Sequence, residues 1–398
     1  MTARSDRRPL IVHLLYVFDF GGLENGVVNL INRLPSDEFR HAVVALTEVT
    51  DFRHRVARDD VRYVALHKTP GQTLRLAPQF LRVLSELRPT VVHSRNIAAL
   101  ELMLPAAWAR VPVRVHGEHG WSVDDPEGRN LKYRLIRRAA RPFVHHYVAL
   151  SGQLQRYLTD AIGVHEARID RICNGVDTAV FEPARDGRQA IAGSPFASGD
   201  EWIVGCVGRL EATKNQVLLA RALVRAVEIA PAARARLRLA IVGAGGYRAQ
   251  IERVLNEAGV ADLAWFAGAR DDVAALMRGF DAFALPSIAE GISNTTLEAM
   301  ASGLPIVATA VGGNVELLDD RRTGRLVPSN DVDALACALL EDFTDPTAAR
   351  RRGAAARAEV ERRFSLDRMV GAYGDLYHRL IARATPRHAG ANGSRVVA

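Results

Sequence analysis

Short apolar runs alternate with amphipathic segments of helical length along almost the whole chain. A first set of runs predicts strands at 9–18, 41–47, 61–66, 90–94, 111–117 and 145–151. A second set predicts strands at 201–208, 237–243, 263–268, 281–287, 305–309 and 324–328. The segments between them include predicted helices at 24–34, 76–87, 216–230 and 247–258. Because this alternation is typical of parallel sheets covered by helices on both faces, it predicts an α/β protein with two doubly wound domains.

Changes in composition mark the predicted domain boundaries. Residues 183–200 are rich in Gly, Ala, Ser and Pro without a regular period, which is typical of a linker. We therefore predict an N-terminal domain over 1–182 and a C-terminal domain over 201–365. Residues 366–383 are predicted to form a closing helix that packs back on the first domain, because their apolar side chains follow one helical stripe. The polar residues 384–398 are predicted to be a disordered tail.

The composition is that of a globular protein large enough for two hydrophobic cores. The chain has 398 residues, of which 48% are apolar and 24% charged. Its three cysteines, Cys173, Cys206 and Cys337, are far apart and odd in number, which argues against a disulfide framework and favours a cytoplasmic location. The apolar run near the N-terminus lacks a following small-residue cleavage site, so we interpret it as a strand. No apolar run approaches the roughly 20 residues that cross a bilayer.

Positive charge is concentrated in the first part of the chain. Residues 1–177 contain 25 Lys and Arg against 19 Asp and Glu, which accounts for +6 of the total formal charge of +7. We therefore expect the two domains to meet different partners, the first of them anionic. Nothing in the sequence indicates a nucleic acid as that partner.

The segment PSIAEGISNTTLEAMASGLPIVAT, at 286–309, holds two acids on either side of a polar loop that precedes a predicted helix. Ser293, Asn294 and Thr295 open that helix, whose free N–H groups and positive dipole end are suited to a diphosphate. Glu298, one turn into the helix, would reach hydroxyls beside the phosphate such as those of a ribose. Glu290, in the loop, would reach hydroxyls on the other side. The alternative is a helix cap with two solvated acids.

Two cations follow the strand predicted at 201–208. Arg209 comes directly after it and Lys214 lies five residues later, at the start of the next helix. Both would face the carboxyl ends of the strands, where they could neutralise a departing diphosphate. The alternative is a solvated basic loop. In the first domain Gly21 and Gly22 end the corresponding first loop and permit close approach of a ligand to the backbone, although many ordinary turns need such a pair.

The segment VRVHGEHGW, at 113–121, places His116 and His119 at the predicted end of a strand. A single histidine is more often structural, whereas two in one polar loop suggest a site. The helix that follows carries Arg134, Arg137, Arg138 and Arg141 at helical spacing. This face could dock on an anionic membrane surface or on a lipid diphosphate, and a solvated basic face is the alternative.

Taken in order, these motifs resemble the retaining glycosyltransferases of family 4, which have the GT-B fold. The resemblance rests on Gly21-Gly22, ALS at 149–151, NGVD at 174–177, GRLEATKN at 208–215, the segment at 286–309 and the closing helix. It implies two Rossmann-like domains that face each other across a cleft, with the closing helix crossing back to the first. The string HGEHGW also resembles sugar transferases of PEP-CTERM and exosortase-associated exopolysaccharide clusters.

The resemblance also assigns roles to individual residues. It implies that Arg209 and Lys214 contact the donor's phosphates, that Glu298 holds the ribose and that Glu290 holds the donor sugar. Gly22 would lie near the diphosphate, and His119 near the sugar and the reaction centre, with His116 in reserve. Ser293, Asn294 and Thr295 would supply the amide cradle. Family members often have Pro or Gly where this chain has Ser293, which puts the geometry of that loop in question.

These observations predict a metal-independent enzyme that transfers a hexose from a UDP- or GDP-sugar with retention of configuration. The acceptor is expected to be lipid-linked or a glycan in exopolysaccharide or cell-surface glycan synthesis, with peripheral contact to an anionic membrane. No bound cofactor is expected, and DVD at 331–333 is interpreted as a helix cap rather than a metal site. The alternatives are a GT-B epimerase or phosphorylase, and a noncatalytic nucleotide-sugar-binding subunit of a polysaccharide complex.

Overall fold

The computed structural model describes residues 6–121, 125, 128–185, 187–196 and 199–385. Its strands are, in chain order, β1 (Leu10–Leu15), β2 (Arg40–Ala45), β3 (Arg62–Ala65), β4 (Val91–Arg95), β5 (Val113–Glu118), β6 (His146–Ala149), β7 (Ile169–Arg171), β8 (Trp202–Val207), β9 (Leu237–Val242), β10 (Ala264–Gly268), β11 (Ala282–Leu285), β12 (Ile306–Thr309) and β13 (Arg325–Val327). All twelve predicted strands are therefore confirmed. The strand that the sequence pattern missed is β7, which is only three residues long and has one buried apolar side chain.

Helices connect most of these strands. They are α1 (Gly22–Arg33), α2 (Ala77–Leu87), α3 (Asn96–Leu100), α4 (Met103–Trp108), α5 (Leu131–Ala140), α6 (Gly152–Arg156), α7 (Gln216–Ile229), α8 (Arg248–Glu257), α9 (Val273–Met277), α10 (Asn294–Ala301), α11 (Asn314–Leu317), α12 (Val332–Thr344), α13 (Pro346–Arg363) and α14 (Leu366–Ala384). The interpretation of DVD as a cap is confirmed, because the Asp331 carboxylate accepts a hydrogen bond of 2.8 Å from the backbone N–H of Ala334.

The strands form two sheets with the order expected of doubly wound domains. The first runs β3-β2-β1-β4-β5-β6-β7, and the second runs β10-β9-β8-β11-β12-β13 with parallel pairing throughout. Strand order reverses direction between β1 and β4 in the first sheet and between β8 and β11 in the second. At such a switch point the loops after the two strands diverge, which opens a crevice for a ligand at the carboxyl edge.

The central strands are buried because they are apolar on both faces. Every residue of β1 and of β8 is buried, and helices α7 and α12 cover the second sheet with Leu218, Leu219 and Leu335 among other core side chains. Continuous apolar runs of this kind need cover on both faces, which the alternating helices supply.

The described chain divides into two compact units that interleave along the sequence. One comprises Met1–Gly117, Ala139–Tyr147 and Gly371–Ala398, and the other Glu118–Arg138 and Val148–Val370. The units therefore do not correspond one to one with the predicted ranges 1–182 and 201–365, which stay a prediction. From residue 386 onward the predicted disordered tail lies outside the described residues.

The predicted linker at 183–200 has anchor points in its described part. Ile191 and Phe196 are buried, and a Cβ on Gly279 would overlap the Ile191 side chain. The guanidinium of Arg188 lies 3.4 Å from the Asp281 carboxylate and 3.5 Å from that of Glu201. These contacts fix the described part of the segment against the second sheet. Its Gly-, Ala-, Ser- and Pro-rich composition therefore does not mean that the segment is loosely held.

The closing helix α14 returns to the unit that contains β1, as predicted. The Tyr377 side chain is fully buried there, with its hydroxyl 2.8 Å from Nδ1 of His93 on β4 and its ring edge-on to Phe39. Burial raises the pKa of Tyr377 above its ordinary value, so the hydroxyl stays protonated.

A buried polar network continues from this point into the first sheet. One guanidinium nitrogen of Arg95 lies 3.1 Å from Nδ1 of His13, and Nε2 of His13 lies 3.0 Å from Nδ1 of His41. Burial, and then the charge of Arg95, lower the pKa of His13 well below its usual range. His13 and His41, whose pKa values are both lowered by burial, are therefore neutral and serve as hydrogen-bond partners rather than charges.

Among the described helices, none combines the length and the apolar character needed to cross a bilayer.

We predict that Tyr377→Phe lowers the free energy of unfolding by about 1–3 kcal/mol, because it removes the hydroxyl partner of a buried histidine. Urea denaturation followed by circular dichroism measures this loss. Tyr247→Phe, which changes an exposed tyrosine in the turn before α8, is the control and should leave the unfolding free energy unchanged. Equal stability of Tyr377→Phe and the wild type would contradict the role of the hydroxyl.

Candidate functional site

The switch point of the second sheet brings together the loops that follow β8 and β11. The backbone N–H of Ile288 donates to the carbonyl of Thr213 at 2.8 Å, which ties one loop directly to the other. The first loop is also fixed to its own helix, since Nε2 of Gln216 donates to the carbonyl of Arg209 at 3.0 Å. Asn215 has a positive φ of 50° and ends the loop before α7. The loops after β8 and β11 thus form one ordered surface at the carboxyl edge of the second sheet, which we call the floor.

Lys214 and Glu290 form an ion pair in this floor. Nζ of Lys214 lies 2.6 Å from Oε1 of Glu290, and the Ser287 hydroxyl donates to the same oxygen at 2.6 Å. The Glu290 side chain is almost fully buried, whereas that of Lys214 is partly exposed. A buried carboxylate needs such donors, because an unpaired charge in this position would cost several kcal/mol. The structure therefore brings together two residues that the sequence analysis placed in different roles.

Arg209 stands at the outer edge of the same floor. Its side chain is 77% exposed and its guanidinium lies 3.2 Å from the carboxylate of Glu211. An exposed pair of this kind contributes little stability, so the side chain can be redirected towards a ligand at small cost.

Helix α10 begins as predicted, directly after Ser293. The Ser293 hydroxyl accepts a hydrogen bond of 3.2 Å from the backbone N–H of Thr296 and lies 3.2 Å from the Thr295 hydroxyl. The Asn294 side chain is held from outside the helix, since Oδ1 accepts from Nδ2 of Asn174 at 2.6 Å. The cap uses only one of the free N–H groups at the helix start. The amide cradle assigned to these three residues stays a prediction.

Glu298 lies one turn into α10 with its carboxyl only partly exposed. Among the residues that the structure describes, no side-chain hydrogen bond or ion pair to this carboxyl is recorded. Burial raises the pKa of Glu298 from its ordinary value of 4.5 to about 8. A desolvated acid without a partner near a switch point is the kind of group that gains from a ligand's hydroxyls. Its assigned contact with a ribose stays a prediction.

Close packing of three loops positions Glu290. Gly312 has a φ of +50°, and a Cβ there would overlap the carbonyl oxygen of Glu290. A Cβ on Gly291 would lie 2.7 Å from the carbonyl oxygen of His119. Only glycine allows main chains to approach in this way. His119 is thus held beside the Glu290 loop, and its assigned place near the donor sugar stays a prediction.

The residues assigned to the first loop and its surroundings lie in the other unit. Gly21 is the N-cap of α1 and has extended backbone. A Cβ on Gly21 would overlap the Glu24 carboxylate. The Glu24 carboxylate therefore lies over the start of the helix, beside Gly22. His116 is inside β5 rather than after it, because the strand continues to Glu118. Its ring is fully buried and its Nδ1 lies 2.8 Å from the Ser94 hydroxyl. The expectation that His116 faces a crevice is therefore corrected, and it is a core residue.

The basic face predicted on α5 is corrected for one of its four members, Arg137. The Arg137 side chain is buried, with Nε 2.6 Å from Oε1 of Glu118 and a terminal nitrogen 2.9 Å from Oδ2 of Asp125. Because it is committed to two buried acids, Arg137 is not available to a membrane. The exposed side chains on this helix include Leu131 and Leu135, at 71% and 64% exposure.

Sequence reasoning did not identify several polar residues that support the floor. Ser287 and Asn174 both lie in quoted motifs, so their proximity to Glu290 and Asn294 could have been suspected from the strand order. Glu316 carried no such signal. Its carboxylate accepts hydrogen bonds from the backbone N–H groups of Gly152 and Gln153, at 2.9 and 3.1 Å.

Within the described part of the chain no cluster of three or more His, Cys, Asp or Glu side chains is arranged to hold a metal ion.

Comparison with known proteins agrees with this fold. Residues 20–180 match the family described as Glycosyltransferase Family 4, and residues 201–345 match Glycosyl transferases group 1. The chain is 31% identical to a GDP-mannose-dependent alpha-(1-6)-phosphatidylinositol monomannoside mannosyltransferase of Mycolicibacterium smegmatis, over 77% of this chain and 81% of the relative. It is 30% identical to a D-inositol 3-phosphate glycosyltransferase of Kribbella flavida, over 85% of this chain and 86% of the relative.

Solved structures share the fold at lower sequence identity. Anabaena HepE in complex with UDP has a TM-score of 0.76 and 19% identity, covering 93% of this chain and 99% of its own. The sucrose-phosphate synthase of Thermosynechococcus elongatus has a TM-score of 0.76 and 21% identity, covering 94% of this chain and 100% of its own. The predicted fold class, GT-B with two Rossmann-like sheets, is confirmed.

The raised pKa of Glu298 predicts a pH-dependent stability. Between pH 4.5 and about 8 the unfolded chain releases this proton while the folded chain keeps it. The folded state is therefore stabilised by the neutral carboxyl at low pH and loses that advantage as the pH rises through this window. We expect Glu298→Gln to match the wild type near pH 5 and to exceed its Tm near pH 9 by on the order of 2–4 °C.

Scanning calorimetry at both pH values measures this difference. Glu257→Gln removes an exposed carboxyl on α8 and should show no such divergence between pH 5 and pH 9. A Glu298→Gln curve parallel to the wild type would contradict the burial argument.

Proposed function

The chain belongs to glycosyltransferase family 4 and acts on nucleotide-sugar donors, and from this premise we propose that it is a retaining hexosyltransferase that needs no metal ion. The donor is a UDP- or GDP-sugar and the acceptor is lipid-linked or a glycan, in exopolysaccharide or cell-surface glycan synthesis on the cytoplasmic side of a membrane. The observation that carries the proposal is the Lys214–Glu290 ion pair at the second switch point.

The pair is suited to a donor whose diphosphate and sugar lie on either side of it. An ammonium group has three N–H donors, so Lys214 can keep its bond to Glu290 and offer the others to phosphate oxygens. Arg209 adds a mobile guanidinium for the same oxygens. Charge that develops on the departing diphosphate would then be stabilised by two cations and the free N–H groups of α10. This arrangement supplies the neutralisation that a metal ion supplies elsewhere.

The two glutamates take different parts in this proposal. Glu298 binds the ribose, where its partly buried carboxyl gains the hydroxyl partners that it lacks among the described residues. Glu290, held rigidly by Lys214 and Ser287, binds hydroxyls of the donor sugar. His119, whose main chain packs on the Glu290 loop, contributes to the sugar's surroundings from the adjoining segment.

The relatives motivate the choice of donor and acceptor. The Mycolicibacterium smegmatis relative is named for GDP-mannose and a phosphatidylinositol mannoside, and the Kribbella flavida relative for inositol 3-phosphate. We extend from these names only the general chemistry, a nucleotide-activated hexose and a surface-glycan acceptor.

The test is turnover of a panel of UDP- and GDP-sugars by the purified protein in the presence of EDTA, with product configuration read by NMR. We expect one donor to be consumed with retention. Glu298→Ala should weaken binding of the nucleoside diphosphate product about tenfold or more, because it removes hydrogen bonds to the ribose. Glu290→Gln should leave that affinity nearly unchanged and lower turnover, because its bond to the sugar strengthens in the transition state.

The outcomes separate the alternatives. Diphosphate binding without turnover of any donor would favour a noncatalytic subunit, and conversion of a donor to its epimer would favour an epimerase. Activity that is lost in EDTA and restored by magnesium would contradict metal independence. Equal loss of diphosphate affinity in both variants would contradict the division of roles between the glutamates.

Peripheral contact with an anionic membrane belongs to the same proposal, through exposed leucines of α5 and without the buried Arg137. Leu131 and Leu135 are exposed one helical turn apart, and the exposed Lys132 and Arg138 flank them. Insertion of a leucine into lipid is worth roughly 1.5–3 kcal/mol when its burial is complete. Each flanking cation adds about 1 kcal/mol near an anionic surface.

We predict that Leu131→Ser/Leu135→Ser loses at least about tenfold in affinity for vesicles of phosphatidylcholine and phosphatidylserine. Sedimentation with vesicles measures it, and vesicles of phosphatidylcholine alone should bind the wild type more weakly. Leu74→Ser/Ile229→Ser, which removes two exposed apolar side chains elsewhere, should bind like the wild type. Equal binding by all three proteins, or by none, would rule out this face as the contact.

A further inference from the structure

An arginine-lined cavity adjoins the Glu290 loop and is not used by the proposed donor contacts. It has a volume of about 460 Å³. Its wall includes Arg156 at the end of α6, Arg171 at the end of β7 and Arg363 at the end of α13. Gly312 and Glu316 close the side towards the second sheet. All of these residues belong to one compact unit.

The charges in this cavity do not balance. The Glu316 carboxylate is already occupied by the backbone N–H groups at the start of α6. Arg363 has its own partner, since a terminal nitrogen lies 2.8 Å from the Glu359 carboxylate. For Arg156 and Arg171, both exposed, no carboxylate partner occurs among the residues that the structure describes. Two guanidinium groups therefore remain available to a ligand.

The position of the cavity relates it to the proposed sugar site. Gly312 lines the cavity, and its Cα packs so closely on the Glu290 carbonyl that no side chain would fit between them. The cavity therefore starts one backbone thickness from the residue proposed to bind the donor sugar.

We propose that this cavity binds a phosphate group carried by the acceptor, through Arg156 and Arg171. The planar fork of a guanidinium matches the oxygens of a phosphate and can donate two parallel hydrogen bonds to it. Two such forks give a site for a dianion, because the neighbouring Glu316 carboxylate is held by backbone N–H groups instead. The inference rests on the proposed function, because it assigns the group to the acceptor of that reaction.

Calorimetry with inorganic phosphate as the probe tests the site, with the donor site first saturated with UDP or GDP. We expect saturable binding to the wild type and at least a tenfold loss in Arg156→Gln/Arg171→Gln. Arg156→Lys/Arg171→Lys keeps the charge without the fork and should fall between them. Arg82→Gln/Arg253→Gln removes two exposed arginines far along the chain from the cavity residues and should bind like the wild type. Unchanged Tm values confirm that each variant is folded.

Two further arms identify the source of the phosphate. Glycerol 3-phosphate represents a soluble acceptor, and vesicles of phosphatidylcholine with phosphatidic acid represent a lipid one. A loss in Arg156→Gln/Arg171→Gln for only one of them assigns the source.

Equal phosphate affinity in the wild type and in Arg156→Gln/Arg171→Gln, or none in either, would overturn the proposal. Failure of the proposed function is distinguishable, because it would appear as absent nucleoside diphosphate binding in the wild type itself. Arg156→Gln/Arg171→Gln should retain wild-type diphosphate affinity, and a parallel loss of that affinity would place these arginines in the donor site instead.

Discussion

The requirement that the buried Glu290 carboxylate be compensated organises the second switch point. Lys214 and Ser287 both contact the same oxygen, and they come from the loops after two neighbouring strands. Without them the carboxylate would cost several kcal/mol, so the loops cannot separate cheaply. The main chain at Glu290 and Gly291 in turn supports Gly312 and His119. The positions of the surrounding loops therefore follow from the contacts that compensate the Glu290 carboxylate.

This arrangement combines rigidity with available charge. Glu290 is fixed from three sides, whereas Arg209 is exposed and Glu298 lacks a recorded partner in the described structure. Preorganised groups bind without losing much conformational entropy, and loosely held ones respond to whichever ligand arrives. The adjoining arginine cavity follows the same principle, since Glu316 is bound to backbone N–H groups while Arg156 and Arg171 are left for an external anion. The side chains available to a ligand are therefore those that the fold does not use for its own ion pairs and hydrogen bonds.

Much of the fold could be predicted because apolar runs in a doubly wound sheet are long and uninterrupted. Twelve of the thirteen strands in the described structure were found in this way, and the helix cap at Asp331 followed from its place before an amphipathic run. The approach of Lys214 to Glu290, 76 residues apart, was not predicted, and it results from the neighbouring positions of β8 and β11 at the switch point. Strand β7 was missed because only one of its three residues, Ile169, is apolar.

The sequence could not indicate which charges the core would accept. Helical spacing placed Arg137 with Arg134 and Arg138, but spacing does not say which side of a helix faces inward. Two acids in the preceding segment, Glu118 and Asp125, draw Arg137 into the interior and leave Leu131 and Leu135 outside. His116 was misplaced for a related reason, because β5 continues through a Gly-Glu pair that resembles a loop. Both errors concern partners that are set by tertiary contacts rather than by local pattern.

The return of α14 has a consequence for how the protein is made. The contact between Tyr377 and His93 spans 284 residues, and it joins the last described helix to one of the earliest strands. Domains usually fold from the N-terminus as the chain leaves the ribosome. Here the unit that is synthesised first cannot fill its core until α14 has emerged, whereas residues 148–370 of the other unit are contiguous and already complete. The contacts that α14 makes with β4 can therefore form only after almost the whole chain has been synthesised.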